Sequence, residues 1–240
     1  MSEWFEHWFG EEYLELYPHR DDEEAGRAIA LLAARGVVRP GDRVVDLACG
    51  AGRHAVALSR LGARVIGLDL SLPLLRAGQR RWREAELVRA DIRVLPLRTG
   101  AADAVVNLFT SFGYFERDEE HQSVIADVAR VLRKGGRFVL DFLNALQVRA
   151  TLVPRDEKSI NGRTVVQERR LEKDGRYVVK TIHLAGEGRS FMERVRLYER
   201  ADLERMFERS GLAVDAVLGD YEGGAFTAAS PRLLMLASKA

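Results

Sequence analysis

Two acids and two glycines in the first third of the chain are spaced for ligand chemistry. Asp46 sits in a short strand, Val44–Leu47. Gly50 and Gly52 follow it, and Asp69 lies seventeen residues after Gly52 at the end of a second strand. Glycines at a strand–helix turn permit a tight reversal and let a ligand approach the backbone. A carboxylate at the end of the next strand is placed to accept hydrogen bonds from two ribose hydroxyls. Together they predict an adenosine-containing ligand. Gly50, Gly52 and Ala55 also fit a loose G-x-G-x-x-A dinucleotide fingerprint, so an NAD(P)-dependent oxidoreductase is the alternative. Asp46 opposes it, because a pyrophosphate would meet a negative charge there. The loop carries no lysine, which excludes a Walker P-loop. An acid near the loop suits a cationic ammonium or sulfonium. Asp46 itself reads either as that cation's partner or as a buried organiser of the loop.

The surrounding elements must place these groups along one edge. Strands alternate with helices: a helix from about His54 to Leu61, a strand Arg64–Leu68, and a helix capped by Ser71 with Pro73 in its first turn. Strands Glu86–Arg89 and Ala104–Phe109, a helix Glu119–Leu132, a Lys134-Gly135-Gly136 stop and a strand Arg137–Leu143 follow. Apolar strands in such order imply parallel βαβ units with helices on both faces. From residue 155 the pattern becomes antiparallel. Thr164–Leu171, Tyr177–Leu184 and Phe191–Tyr198 read as three strands, with Asp174-Gly175 as a hairpin signal. A helix Asp202–Arg209 and strands Ala213–Leu218 and Leu233–Ala237 complete the chain.

The run Asp46-Leu47-Ala48-Cys49-Gly50-Ala51-Gly52-Arg53 resembles motif I, D-x-x-x-G-x-G, of class I S-adenosylmethionine-dependent methyltransferases. Asp69-Leu70-Ser71 is similar to the family's ribose-binding acid and its successors. Ala90-Asp91-Ile92 resembles the position that meets adenine, and Leu108–Tyr114 the strand-four site that lines the methionine moiety. Leu132–Phe138 resembles the L-x-x-G-G stop before strand five. The matches run in order over roughly residues 40–145. The resemblance implies an α/β fold with a doubly wound, seven-stranded sheet, mostly parallel with its last strand antiparallel. It implies S-adenosyl-L-methionine as cofactor and methyl transfer by in-line displacement to an oxygen or nitrogen of a small molecule, with no metal. The implied cofactor contacts are Asp46, Ala48, Gly50, Gly52, Arg53, Asp69, Leu70, Asp91, Ile92, Phe109 and Ser111.

Residues outside that core are candidates for the acceptor side. The strand-end run Phe109–Phe115 interleaves hydroxyls and rings, and Tyr114 is the candidate for aligning the nucleophile. His19 and His183 are candidate bases, each more often a surface or core histidine; His54 and His121 are further histidines to test. Cys49 reads as a packed residue. The N-terminal segment 1–20 spaces Trp4, Phe5, Trp8, Phe9, Tyr13, Leu14 and Tyr17 as one helical face, ended by Pro18. It is expected to form a lid with Tyr17 and Arg20 turned to the cofactor; Arg20 or Arg53 would pair with its carboxylate. The antiparallel insert, 155–198, is expected to cover the cleft or to form a homodimer contact, within one domain spanning 1–240.

Charge and composition exclude other classes. The chain has 240 residues, 47% apolar and 30% charged, so it can bury a core. Its 37 Lys and Arg nearly cancel 36 Asp and Glu. Residues 155–200 carry twelve basic against eight acidic side chains, too mild an excess for a nucleic-acid groove. Nucleic-acid partners are therefore not expected, although RNA or protein remains the alternative acceptor. One cysteine permits neither an intrachain disulfide nor a cysteine zinc cage. The acidic, aromatic start lacks the pattern of a signal peptide, and no apolar run reaches membrane length. A cytoplasmic location without a membrane partner is expected.

Overall fold

Strands that are apolar on both faces need helices on both sides, and the architecture supplies them. The computed structural model describes residues 3–17, 22–83 and 85–240. Among these, the central strands are β1 (Arg43–Leu47), β2 (Arg64–Asp69), β3 (Glu86–Arg89), β4 (Ala102–Asn107) and β5 (Leu132–Leu143). The insert contains β6 (Arg155–Ile160), β7 (Arg163–Glu172), β8 (Tyr177–Leu184) and β9 (Arg189–Arg196), and the chain closes with β10 (Leu212–Leu218) and β11 (Arg232–Lys239). The main sheet runs β10-β11-β5-β4-β1-β2-β3. β11 lies antiparallel to both its neighbours, and the remaining pairs are parallel. This is the doubly wound sheet that the strand–helix alternation predicts.

Alternate residues of one strand serve opposite cores. Phe138, Leu140 and Phe142 of β5 pack with α6 (Asp118–Val131) and α8 (Arg200–Arg209). Val139 points the other way, with Val106 of β4, toward α3 (Asp22–Ala34) and α4 (Arg53–Arg60). Each fully buried side chain of this size contributes roughly 1.5–3 kcal/mol. α5 (Leu72–Arg81) begins on Ser71, whose hydroxyl accepts the Leu74 N–H at 3.2 Å. α7 (Ala145–Thr151) is capped by Asn144 and was not evident from periodicity.

Three expectations change. The N-terminal face is not one helix but two, α1 (Trp4–Trp8) and α2 (Glu11–Leu16), with Gly10 as the N-cap of the second. Glycine is a poor helix interior residue, so the segment breaks there. The insert is a four-stranded sheet in the order β6-β7-β8-β9. Its first strand, Arg-Asp-Glu-Lys-Ser-Ile, is a charged edge with no apolar alternation. The two-residue Asn161-Gly162 turn behind it, with φ of 51° and 77°, was the available signal. The glycine stop also differs slightly: α6 ends at Val131, and β5 already pairs Leu132 with Ala102. No helix of the described residues is long and apolar enough to cross a membrane.

Candidate active site

β1 pairs with β2 on one side and β4 on the other, so strand order reverses there. Ligands of open α/β sheets bind beyond the carboxyl ends of strands at such a point. A cavity of about 620 Å³ lies there, bounded by the segments that leave β1, β2, β3 and β4 and by the N-terminal helices. Its size falls within the ~300–1,000 Å³ of small-molecule sites.

The loop after β1 is left-handed at Ala48, Gly50 and Gly52, with φ of 52°, 57° and 78°. Asp69 clasps it. One carboxylate oxygen accepts the Gly50 N–H at 2.7 Å, and the other accepts the Ser71 N–H at 2.8 Å. Each oxygen keeps a lone pair, and the group is 9% exposed on the cavity wall. Burial pushes its pKa up, and the two amides partly offset this.

Asp46 does not line the cavity. It is 1% exposed, and its Oδ2 has no hydrogen-bond partner among the described residues. Burial, then the charge of Asp69, pushes its pKa up to about 8. The organiser alternative fits this position behind the loop better than direct contact does. Gly52 also sits off the wall. A Cβ there would meet the Leu87 side chain at 3.2 Å, so glycine serves the turn and the packing on β3.

Several predicted residues do meet at the cavity: Ala48, Gly50, Arg53, Asp69, Leu70, Asp91, Ile92, Phe109, Ser111, Tyr114 and Tyr17 all face it. Asp91 also caps its own turn, accepting the Arg93 N–H at 2.9 Å and pairing with the Arg93 guanidinium at 2.6 Å. Burial raises its pKa, but the bonds from Arg93 prevail and leave it below the ordinary carboxylate range. Arg53 pairs with Glu24 at 3.2 Å, and its guanidinium lies 4.4 Å from the centre of the Phe109 ring. Tyr114 donates its hydroxyl to the Thr110 carbonyl at 2.6 Å. The Ser111 hydroxyl reaches the Leu108 carbonyl at 3.1 Å.

The N-terminal helices stand between the cavity and the insert. Phe5, Phe9 and Tyr13 face the cavity, while Trp8 packs on Phe191 of β9 at 4.6 Å. Trp8 Nε1 donates to Glu193 at 2.8 Å, and Lys180 pairs with Glu193 at 2.6 Å. Lys180 also donates to the Tyr17 hydroxyl at 2.7 Å. Burial and the charge of Glu193 raise the Tyr17 pKa, so it stays a neutral phenol. Ser71 donates to the Phe9 carbonyl at 2.5 Å, joining the turn between α1 and α2 to the Asp69 loop.

His183 is not at the cavity. Its side chain is 43% exposed, with Nε2 3.7 Å from Glu168 of the neighbouring strand. β8 alternation turns it to the opposite face from Ile182, which packs under α1 and α2. His19 and Arg20 lie outside the described residues. His121 is a buried core histidine: Nε2 accepts the Phe115 N–H at 3.2 Å, and burial lowers its pKa to about 4. His54 does reach the cavity, but burial and then the Arg53 and Arg232 charges hold its pKa well below the ordinary value. Cys49, also on the wall, has its thiol pushed up by burial and two nearby acids, which suits a packed residue. Trp82, Arg81 and Arg89 line the wall without any motif to flag them. Among the described residues no group of three or more His, Cys, Asp or Glu could hold a metal ion.

The wall therefore offers a paired hydrogen-bond acceptor in Asp69 and a glycine loop open to backbone approach. A ribose, an adenine and an amino-acid end fit this donor and acceptor set. Residues 44–136 match the family model described as a methyltransferase domain. A dTDP-3-amino-3,4,6-trideoxy-alpha-D-glucopyranose N,N-dimethyltransferase of Streptomyces venezuelae is 30% identical over 75% of this chain and 79% of its own. The chain belongs to the class I S-adenosylmethionine-dependent methyltransferases. This methyltransferase is also similar to the cypemycin N-terminal methyltransferase of a Streptomyces species, at 27% identity over 82% of each chain. The crystal structure of Streptomyces venezuelae DesVI aligns with a TM-score of 0.68 at 27% identity, over 95% of this chain and 97% of that one. Membership sets aside the oxidoreductase alternative. S-adenosylmethionine is the cofactor.

Proposed function

We propose that this enzyme methylates a nitrogen of a small-molecule acceptor, with oxygen the second choice, inside the cavity between the glycine loop and the N-terminal helices. Enclosure supports this: the 620 Å³ space is roofed by α1 and α2, which the insert holds down through Trp8 and Glu193. Such a roof admits a metabolite more readily than a polymer. Of the two relatives, one is an amino-sugar N,N-dimethyltransferase and the other an N-terminal methyltransferase.

S-adenosylmethionine, when bound, supplies a methyl group on a sulfonium that departs as a neutral thioether. Asp69 would hold its ribose hydroxyls, with Asp91 and the Ile92 backbone at the adenine and Arg53 at the carboxylate. Ala48, Gly50, Leu70, Phe109 and Ser111 would shape the walls, with Asp46 supporting the loop from behind. Tyr114 and Tyr17 would border the acceptor. A neutral amine brings its own lone pair and needs mainly alignment and water exclusion. A hydroxyl would also need a base, and His54 is held too far below neutrality to be an efficient one. The N-terminal helices would act as the lid. The outer face of the insert is the surface for a homodimer contact, and a cytoplasmic location without nucleic-acid partners belongs to the same proposal.

Incubation with methyl-labelled cofactor and matched panels of small amines, small alcohols, RNA and protein tests this. Label in the amine panel is expected. Label confined to RNA or protein would overturn it.

A further inference from the structure

Phe109 and Thr110, the residues that carry the chain out of β4 along the cavity, both have left-handed backbones, with φ of 61° and 59°. Neither an aromatic nor a β-branched residue adopts this conformation without strain. Asp141 grips both. Its Oδ2 accepts the Phe109 N–H at 2.8 Å, and its main-chain carbonyl accepts the Thr110 N–H at 3.0 Å.

The carboxylate is itself fixed from two further elements. The Tyr221 hydroxyl donates to Oδ2 at 2.5 Å, and Arg232 Nη1 donates to the two oxygens at 3.2 and 3.1 Å. Arg232 Nη2 continues to Glu24 at 2.9 Å, and Glu24 meets Arg53 at 3.2 Å. The guanidiniums of Arg53 and Arg232 lie 4.4 and 4.9 Å from the Phe109 ring centre. Downstream, the Thr110 carbonyl accepts the Tyr114 hydroxyl.

Asp141 is 0% exposed near the carboxyl end of β5. A buried ionic network there is a poor route to stability, since apolar side chains of similar volume commonly serve as well or better. Its geometry instead serves the cavity wall. We infer that Asp141 is a positioning residue for the methyltransferase: it holds Phe109 and Thr110 left-handed, and so sets the Phe109 ring and the Tyr114 hydroxyl at the cofactor cavity. This rests on the cavity binding the cofactor as proposed above.

The test uses full-length protein, Asp141→Asn and Tyr221→Phe, with two readouts. The first is amide hydrogen exchange in ligand-free protein. Phe109 should exchange at least tenfold faster in Asp141→Asn, while Thr110, whose amide is bonded to the retained main-chain carbonyl, changes less and Val105 and Val106 of β4 keep their wild-type rates. The second is titration with S-adenosylhomocysteine, whose affinity should fall at least tenfold. Adding Thr110→Gly to Asp141→Asn removes the side chain that resists the left-handed backbone, and should recover most of that loss. A merely structural role would give no such recovery. Phe109 exchange within twofold of wild type, or no recovery with glycine, overturns the inference. Where Asp141→Asn fails to fold, Tyr221→Phe removes a single hydroxyl, and about threefold shifts in both readouts are expected; unchanged values overturn it. Wild-type protein that does not bind S-adenosylhomocysteine would sink the cofactor assignment instead, and the exchange rates would then decide whether Asp141 holds the backbone.

Discussion

Replacing Asp69 separates ligand recognition from folding. On the proposed ribose assignment, Asp69→Ala removes the acceptor for both ribose hydroxyls, and the Gly50 and Ser71 amides lose the partner now at 2.7 and 2.8 Å. Hydrogen bonds to a charged group contribute about 1.5–3 kcal/mol each, so two lost ribose bonds cost about 3 kcal/mol or more. At ~1.4 kcal/mol per decade this is a roughly 100-fold loss of affinity. Asp69→Asn keeps one carbonyl acceptor and turns an NH2 toward one of the amides, so it should fall between, near tenfold. Stability should move much less than affinity. Burial raises the Asp69 pKa, so the folded state gains little from its charge. Calorimetric titration with S-adenosylhomocysteine, paired with thermal melts, reads both quantities. Asp69→Ala binding within threefold of wild type, at an unchanged melting temperature, would refute the ribose assignment. A weaker Asn than Ala variant would refute the acceptor count.

Asp46, with its pKa raised to about 8, keeps a proton in the folded protein that the unfolded chain releases near its ordinary 3.8. This group therefore lowers stability as pH rises between about 4 and 8, by about 1.4 kcal/mol per unit. The melting temperature of Asp46→Asn minus that of wild type should grow from pH 5 to pH 8; a flat difference would show that Asp46 is already ionised. Ser71→Ala removes both the α5 cap and the bond to the Phe9 carbonyl. A stability loss of about 1 kcal/mol is expected, with faster release of S-adenosylhomocysteine in stopped flow; unchanged release would disconnect the N-terminal helices from the loop. His183→Ala should leave methyl transfer and cofactor affinity unchanged, because the imidazole faces away from the cavity; a tenfold fall in rate would restore it as a base.

The arginine excess, 32 against five lysines, acquires a structural use. Arg93 meets Glu3, Asp91 and Glu120, Arg163 meets Glu15 and Glu187, and Arg232 meets Glu24 and Asp141. A planar guanidinium can hold two or three acids in fixed directions, whereas an ammonium is a point charge on a flexible stem. Most of these pairs join segments distant in sequence. Their value is in fixing elements around the cavity, since exposed ion pairs add little to stability.

Local patterns determined the sheet and the placement of its ligand edge. Apolar runs of strand length, helix caps such as Ser71 and the order of strands and helices constrain a parallel βαβ sheet, and its carboxyl ends then gather Gly50, Asp69, Asp91 and Phe109 at one crevice. Side-chain direction was less legible. Asp46 and Gly52 belong to the motif but lie behind the wall, because one residue along a turn changes which way a group faces. The break at Gly10 and the polar strand β6 carry weak periodic signals. The grip of Asp141 on Phe109, and its links to Tyr221, Arg232 and Glu24, had none. Those partners lie 80 to 208 residues apart along the chain. Spacing along a sequence encodes neighbours on one helix face or strand; contacts between elements exist only once the sheet has brought them together.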